Sequence, residues 1–295
     1  MQDKSLSRLI DAHVHFWDPS VRHHDWLRSV PTLAIPFSPS DIDFGRWVPG
    51  GLVFVEADCR VSEALSEVDW VTTLAAGEVP IVGIVAHVPL ERGRATVSLL
   101  ERLSRRSLVV GIRRLLQHEP RSLLQDPGLV EGTRLLADYG LTSDLCVTAD
   151  QLPAVTDLVR SCPDTSFVLD HLGNPPVGGP SLEPWRRDLR KLARWPNVAC
   201  KLSGLATIAP PGWCPADLLP YLRHAINVFG PERCLFGSDW PVALQNTTYE
   251  NWLDTVLEAT HDFTATERDY ILGRAAVGIY GLSNLPEEKP AHARS

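Results

Sequence analysis

The sequence contains no long uncharged apolar segment. No stretch of about 18 such residues is present, which argues against a transmembrane helix. The opening residues MQDKSLSRLIDAH also lack the apolar core of a secretory signal. The six cysteines are scattered without a CxxC pair, which argues against a disulfide framework or a zinc knuckle. We therefore expect a soluble, cytoplasmic protein with buried, reduced thiols.

Runs of basic residues are missing as well. The formal net charge is -8, so the chain would repel the phosphate backbone of a nucleic acid. An acidic substrate would need local positive groups to attract it. No GxGxxG motif follows the first apolar run, which argues against a dinucleotide-binding fold. With 295 residues and 44% hydrophobic residues, the chain can form one large α/β domain or two smaller ones.

Short apolar runs alternate with longer amphipathic segments. The candidate strands are the eight runs LIDAHVHF, GLVFVEA, PIVGIVAHV, LVVGIRRL, LTSDLCV, SFVLDHLG, NVACKLSG and RCLFGSDWPV. Segments between them, such as LPAVTDLVRSC, repeat apolar residues at helical spacing. This alternation predicts a parallel sheet with helical crossovers, and eight such units predict an α/β (β/α)8 TIM barrel. An open doubly wound sheet is the alternative, and polar residues at many different strand ends disfavour it.

No internal repeat, low-complexity segment or long linker divides the chain. We therefore expect a single domain over residues 1–295. The final residues SNLPEEKPAHARS are polar and contain proline, so we expect a frayed tail from about residue 283.

The first candidate strand carries two histidines, His13 and His15, one residue apart. Alternate side chains of a strand share a face, so both imidazoles point the same way and could hold one divalent ion. Other strands also end in polar residues, namely Glu56, the pair Asp170 and His171, and Asp239. Each could have a structural role: Glu56 could pair with an arginine, His171 could cap a helix, and Asp239 could begin a turn. Together they favour a polar site at the carboxyl ends of the strands.

Several motifs occur in the order typical of one family. They are DAHVHFWDP, GIRRLLQ, DLCV with QLP, FVLDHLGNP, PNVACKLSGL and FGSDWPV. From about Leu9 to Leu282 the chain resembles the amidohydrolase superfamily, and more closely its branch of sugar-acid lactonases and 2-pyrone-4,6-dicarboxylate lactonase. The resemblance implies a distorted (β/α)8 barrel that hydrolyses the ester bond of a lactone.

Two departures from the binuclear members of the superfamily bear on the metal. Those members carry a lysine at the end of strand four and a histidine at the end of strand five. This chain has Arg113 and Arg114 in GIRRLL and no histidine in LTSDLCV. The resemblance therefore implies a single divalent ion, with zinc favoured, and leaves metal-independent catalysis open. The candidate ligands are His13, His15, Glu56, His171 and Asp239, in some subset.

The remaining site residues are assigned from their positions and the resemblance. Asp239 is the expected general base, and His171 either polarises the carbonyl or binds the metal. Arg113 is expected to bind substrate, with Arg114 on the opposite face of the strand. The other candidate substrate contacts are Gln117, Trp17, Trp26, Trp240, Lys201 and Asp144. Packing is an alternative for the tryptophans, and Lys201 could instead pair with Glu56.

The expected substrate is a small sugar-acid lactone of carbohydrate metabolism, for example an L-fucono- or L-rhamnono-lactone. A dicarboxylate or muconolactone-type lactone from aromatic degradation is an alternative, although few cations are available to bind two carboxylates. A metal-dependent decarboxylase and a non-catalytic binding barrel are further alternatives. Neither a nucleic acid nor a membrane is an expected partner, and self-association is left open.

Overall fold

Eight parallel strands follow one another around a barrel. The computed structural model describes residues 9–283 and residue 285. Each strand pairs in parallel with the next one along the chain, which confirms the predicted (β/α)8 barrel. The strands are β1 (Ile10–Val14), β2 (Gly51–Val55), β3 (Ile81–His87), β4 (Val109–Arg113), β5 (Thr142–Leu145), β6 (Phe167–Leu169), β7 (Val198–Leu202) and β8 (Cys234–Phe236).

The barrel closes through the segment that follows β8. The Asp239 backbone N–H donates to the His13 carbonyl at 2.8 Å, and the His15 N–H donates to the Trp240 carbonyl at 2.8 Å. Register shifts occur between β1 and β2, β2 and β3, and β3 and β4. The barrel is therefore distorted, and its closure joins the HxH motif directly to the segment that carries Asp239.

Helices connect the strands. They are α1 (Ala64–Leu74), α2 (Val97–Ser104), α3 (Pro127–Asp138), α4 (Leu152–Ser161), α5 (Glu183–Leu192), α6 (Leu205–Ile208), α7 (Pro215–Phe229), α8 (Tyr249–Ala259), α9 (Ala265–Asp269) and α10 (Ala275–Tyr280). The local sequence determines where a helix such as α3 begins. This helix begins with Pro127 after Asp126, whose carboxylate accepts hydrogen bonds from the backbone N–H groups of Gly128 and Leu129. Short 3-10 turns and one π-helical turn (Tyr270–Arg274) complete the connections.

The strands are buried on both faces. Leu52 and Phe54 of β2 belong to the apolar layer that also contains residues of the surrounding helices, whereas Val53 and Val55 belong to a second cluster. That second cluster also contains Tyr280 of α10. Because side chains alternate along a strand, the second cluster fills the barrel interior, and α10 packs against it.

None of the helices in residues 9–283 is long and apolar enough to cross a membrane. The frayed tail predicted from about residue 283 falls almost entirely outside the described residues.

Candidate active site

A cavity of about 260 Å³ lies at the carboxyl ends of the strands. Segments that follow seven of the eight strands line it, with β3 as the exception. The lining residues are His15, Trp26, Ala57, Asp58, Arg113, Leu115, Gln117, His118, Cys146, His171, Asn174, Gly204, Thr207, Ile208, Asp239 and Val242. The polar strand ends therefore converge on one cavity, as the strand pattern predicts.

His13 of β1 and His15, which directly follows β1, point the same way, which confirms that they share a face. Their Nε2 atoms lie 3.1 Å apart. The Asp239 Oδ1 atom lies 3.7 Å from His13 Nε2 and 3.5 Å from His15 Nε2. The His15 Nδ1 atom is 2.8 Å from the Val55 carbonyl oxygen, which can only accept a hydrogen bond. His15 therefore donates through Nδ1 and keeps the Nε2 lone pair free.

These three donors fit a divalent metal ion. Two nitrogens bound tetrahedrally to zinc at about 2.0–2.1 Å lie roughly 3.3 Å apart, close to the separation of the two Nε2 atoms. The neighbouring buried charges also fit: two cations, Arg113 and Lys201, face four carboxylates, those of Glu56, Asp144, Asp170 and Asp239. Carboxylates outnumber cations in this set, an excess of acidic groups that a bound divalent cation would help to balance.

A second group, His13, Asp170 and His171, also brings three donors together. Its carboxylate is already occupied, because Asp170 Oδ1 lies 3.0 Å from the Lys201 ammonium. A cation placed there would face this ammonium directly. The structure therefore favours His13, His15 and Asp239 as the set that could hold a metal.

Buried ion pairs form a layer beneath the cavity. Lys201, with no exposed surface, lies 2.6 Å from Asp144 and 3.0 Å from Asp170. The Tyr280 hydroxyl donates to Asp144 at 2.6 Å. Burial opposes ionisation of Asp170, but Lys201, His13 and Arg113 together outweigh this effect and hold the pKa of Asp170 well below its usual value. Asp170 Oδ1 also lies 3.3 Å from His13 Nδ1, and the Lys201 ammonium lies 3.2 Å from the same nitrogen.

Arg113 lies at the edge of this layer and also lines the cavity. Its Nε donates to Glu56 Oε1 at 2.7 Å, and its Nη1 lies 3.4 Å from Asp170 Oδ2. Burial would raise the pKa of Glu56, but the Arg113 guanidinium, His87 and the backbone N–H of Asp58 together overcome this effect and lower it. The positive charge of Arg113 is therefore largely compensated within the protein.

His171 belongs to the cavity wall. Its Nδ1 lies 2.9 Å from the Ser203 hydroxyl. Burial lowers the pKa of His171, so the neutral imidazole is favoured near neutral pH. The ring centroid of His171 is 4.6 Å from that of His13, which places it beside the candidate metal ligands.

Left-handed backbone conformations concentrate at this cavity. Among the described residues, five non-glycine residues have positive φ angles, and four of them line the cavity: Asp58 (54°), His171 (52°), Asn174 (46°) and Asp239 (61°). The fifth, Leu172, follows His171 directly. Such conformations are costly for residues with a Cβ and concentrate at functional sites, so the surrounding fold holds these side chains in place.

Some predicted site residues lie elsewhere. Glu56 is bound to Arg113 and belongs to neither group of possible metal ligands, so its prediction as a ligand is corrected. Lys201 and Asp144 are both fully buried and form an ion pair with each other. Neither lines the cavity, which corrects their prediction as substrate contacts. The alternative pairing of Lys201 with Glu56 is also not formed. Trp17 is buried and donates through its indole N–H to the Leu33 and Ile35 carbonyls.

Trp240 is also misassigned, because it packs between Phe16 and Phe37 and does not line the cavity. Trp26, by contrast, lines the cavity, as do Gln117 and Arg113. Arg114 points outward to Glu91 and Glu119, on the face opposite Arg113 as predicted.

Sequence reasoning gave no role to three residues of the site. Asp170, at the centre of the ion-pair layer, was named only as a strand-end residue beside His171. Asn174, in the same LDHLGNP segment, lines the cavity. Asp58 follows β2 by three positions and lines it too. Asp58 lies three positions and Asn174 five positions beyond the end of its strand, so a search for polar residues within five positions of each strand end could have revealed both.

Comparison with known proteins identifies the family. A family model described as amidohydrolase matches residues 10–282. The chain belongs to the amidohydrolase family. The predicted resemblance is therefore confirmed across nearly the whole chain.

Two relatives of this amidohydrolase are both described as L-fucono-1,5-lactonases. The L-fucono-1,5-lactonase of Burkholderia multivorans is 31% identical over 305 residues, covering 97% of this chain and 98% of the relative. The L-fucono-1,5-lactonase of Burkholderia ambifaria is 32% identical over 241 residues, covering 79% and 80%. A crystal structure of a Burkholderia multivorans amidohydrolase with bound zinc aligns with a TM-score of 0.84 and 29% identity, covering 93% of this chain and 99% of that one.

Proposed function

We propose that the protein hydrolyses a small, neutral sugar-acid lactone, such as an L-fucono- or L-rhamnono-lactone, to the open-chain acid. The observation that carries this proposal is the convergence of His15, His171 and Asp239 on one small cavity. They are the types of group that acyl transfer to water needs: a base, a polarising donor and candidate metal ligands. The similarity to two L-fucono-1,5-lactonases supports the choice of substrate class.

The cavity suits a small ligand. Its volume of about 260 Å³ is just below the range of roughly 300–1,000 Å³ typical of ligand pockets. Two carboxylates, Asp58 and Asp239, line it, and its arginine, Arg113, is already paired with Glu56 and Asp170. A dicarboxylate would therefore meet no uncompensated cation among the lining residues, which favours a neutral polyhydroxy lactone over a dicarboxylate lactone.

Asp239 is the proposed general base. Its Oδ1 faces the imidazoles of His13 and His15, and its other carboxylate oxygen can accept a proton from water. As that water adds to the carbonyl carbon, the ring C–O bond breaks and the departing alkoxide takes the proton from Asp239. The products are the carboxylic acid and a free hydroxyl group, so one carboxylic acid proton is released per turnover near neutral pH.

His171 is the proposed carbonyl-polarising group. When the Ser203 hydroxyl donates to Nδ1, the neutral imidazole carries its proton on Nε2 and can donate to the carbonyl oxygen. His13, His15 and Asp239 would hold the zinc ion. Bound zinc supplies Lewis-acid activation of the carbonyl and lowers the pKa of water.

The proposal is tested by following proton release with a pH indicator across a panel of sugar-acid lactones and dicarboxylate lactones. We expect hydrolysis of neutral five- or six-membered sugar-acid lactones, with the open-chain acid identified by NMR. A decarboxylase would release CO2 instead. A protein that leaves every lactone of the panel unchanged above the background rate would refute the proposed function.

A further inference from the structure

Asp58 presents to the cavity a carboxylate that the proposed mechanism does not use. It lies three positions beyond the end of β2, and its backbone is left-handed, with a φ of 54°. Its N–H donates to Glu56 Oε2 at 2.8 Å, and Arg113 binds the other carboxylate oxygen of Glu56. A left-handed backbone is costly for a residue with a Cβ, so the fold holds Asp58 at the cavity against that cost.

The side chain of Asp58 is exposed to the cavity. Within the described part of the chain, no ion pair and no hydrogen bond involves its carboxylate oxygens. Arg113, His87 and His118 act on it only through their charges, from a greater distance. The surrounding protein removes part of its water, and this loss, followed by the charge of Glu56, raises the pKa of Asp58 above its usual value. The local electrostatics therefore already oppose negative charge at this position.

The cavity also offers an anionic ligand no free cation among its described lining residues. Arg113 is the only arginine or lysine of that lining. Its Nε and Nη2 donate to the carboxylate and the backbone carbonyl of Glu56, and its Nη1 lies 3.4 Å from Asp170 Oδ2. Asp58 and Asp239 add two carboxylates to the lining. Asp58 belongs to neither group of possible metal ligands, so a bound metal ion would leave its carboxylate unligated.

Hydrolysis turns a neutral ligand into an anion. The lactone carries no charge, whereas the open-chain acid is a carboxylate near neutral pH. A compact cavity of about 260 Å³ is about 8 Å across, close to the Debye length at physiological ionic strength. The carboxylate that hydrolysis creates therefore lies within interaction range of Asp58 wherever it lies in the cavity. Two carboxylates at such a distance repel each other, and more strongly where water is partly excluded.

We propose that Asp58 promotes product release, because its carboxylate repels the carboxylate that hydrolysis creates. The inference rests on the proposed lactone hydrolysis. The lactone and the open-chain acid share most of their hydroxyl groups, so negative charge is the feature by which the protein can bind the product more weakly than the substrate. Asp58 thereby clears the cavity for the next turnover.

The test compares two inhibitors of lactone hydrolysis at about pH 8, well above the usual range of carboxyl pKa values. They are the open-chain acid and its primary amide, which carries the same hydroxyl groups without the negative charge. Asp58→Asn removes the charge and keeps the size, and asparagine tolerates a left-handed backbone as aspartate does. We expect the ratio of the inhibition constants, acid over amide, to fall by about three- to thirtyfold, the effect of removing one like charge at this distance.

Asp25→Asn is the matched control. Asp25 directly precedes Trp26, which lines the cavity, but it does not line the cavity itself, and its side chain is 56% exposed. This variant should keep the wild-type ratio, because water and salt screen a charge at the surface. Asp58→Gly removes the charge of Asp58 in a second way, since glycine also adopts a positive φ, and it should lower the ratio as Asp58→Asn does.

An unchanged ratio in Asp58→Asn and Asp58→Gly, with either variant shown to be folded by its melting temperature, would overturn the inference and leave the lactonase proposal intact. Weaker binding of the acid in both variants would do the same, because it would show that Asp58 binds hydroxyl groups. An equal fall of the ratio in Asp25→Asn would attribute the effect to the net charge of the protein and exclude the role of Asp58. If no lactone of the panel is hydrolysed, the proposed function and this inference fail together.

Discussion

The Lys201 ammonium lies 3.0 Å from the Asp170 carboxylate, and neither side chain is exposed. Asp170 in turn lies 3.3 Å from Nδ1 of His13. The Lys201 ammonium lies 3.2 Å from the same nitrogen, so both charges of the pair lie beside the imidazole. The buried charges beneath the cavity thus connect the stability of the barrel to the geometry of the candidate metal site.

Lys201→Met should destabilise the protein strongly. It leaves Asp144 and Asp170 buried without their cation, which typically costs about 3–5 kcal/mol. Urea denaturation measures the loss. The control is Lys191→Met, which removes a salt bridge to Asp188 from a side chain that is 56% exposed and should cost less than about 1 kcal/mol. Similar losses in the two variants would contradict the importance of the buried pair.

Asp239→Asn should keep the fold and lose turnover. The amide cannot accept the proton from water, so we expect kcat to fall by about 10²–10⁴-fold with little change in melting temperature. Asp262→Asn, which changes an aspartate whose side chain is 76% exposed, should keep near wild-type turnover. Turnover by Asp239→Asn at the wild-type rate would rule out Asp239 as the general base.

His15→Ala should lose the metal. Removing a direct ligand should weaken zinc binding by more than about 100-fold, since even supporting residues contribute 10–100-fold. Elemental emission analysis after dialysis against zinc measures the metal per chain. His23→Ala is the control, because that imidazole is 60% exposed and pairs with Glu63. If wild-type protein bound no zinc, or if both variants retained it equally, the assigned ligand set would be wrong.

Glu67 should make stability fall as pH rises. Burial raises its pKa to about 8, above an ordinary value of 4.5, so the native state holds a proton that the unfolded state has released between these values. Its contribution to the free energy of unfolding therefore declines from about pH 4.5 to 8. Glu67→Gln removes this decline and should gain stability over wild type by several kcal/mol near pH 8.

Urea denaturation at several pH values tests this expectation for Glu67. Glu101→Gln, at an exposed position of α2, should differ from wild type by an amount that does not change with pH. A constant difference between wild type and Glu67→Gln across this pH range would show that Glu67 is not the source of the pH dependence.

Gly204→Ala should displace His171. Gly204 has a φ of 70°, and an added Cβ would clash with the His171 ring. Activity should fall along with stability, because both the left-handed conformation and the catalytic imidazole are affected. Gly212→Ala separates the two effects: its φ of 80° is similar but no atom lies within 4 Å. It should cost about 1–2 kcal/mol and leave activity unchanged. Equal activities of the two variants would contradict the steric argument.

Local sequence patterns were sufficient to predict the barrel and to predict that the two histidines of the HxH motif share a face. All eight predicted strands contain a strand of the structure. The alternation of side chains correctly placed His13 and His15 together, and Arg113 and Arg114 apart. Both predictions depend only on the two-residue repeat of an extended chain, which neighbouring residues encode.

Charge pairing could not be deduced in this way. Glu56 is bound by Arg113 and Asp144 by Lys201, and the two residues of each pair are 57 positions apart in the chain. Lys201 also pairs with Asp170. Which cation meets which carboxylate depends on how far each side chain reaches across the closed barrel. The same uncertainty misplaced Trp17 and Trp240, because burial of an aromatic residue near a strand end depends on how the following loop folds.

The sequence by itself therefore determined the barrel, the shared face of His13 and His15, and the family. Only the tertiary structure revealed the role of Asp170. Strand alternation allows one of two adjacent residues to face the interior, but the left-handed backbone at His171 (φ 52°) and Leu172 (φ 57°) brings both Asp170 and His171 inward. Such a conformation costs a non-glycine residue energy and is held in place by contacts from distant parts of the chain, so no local pattern encodes it.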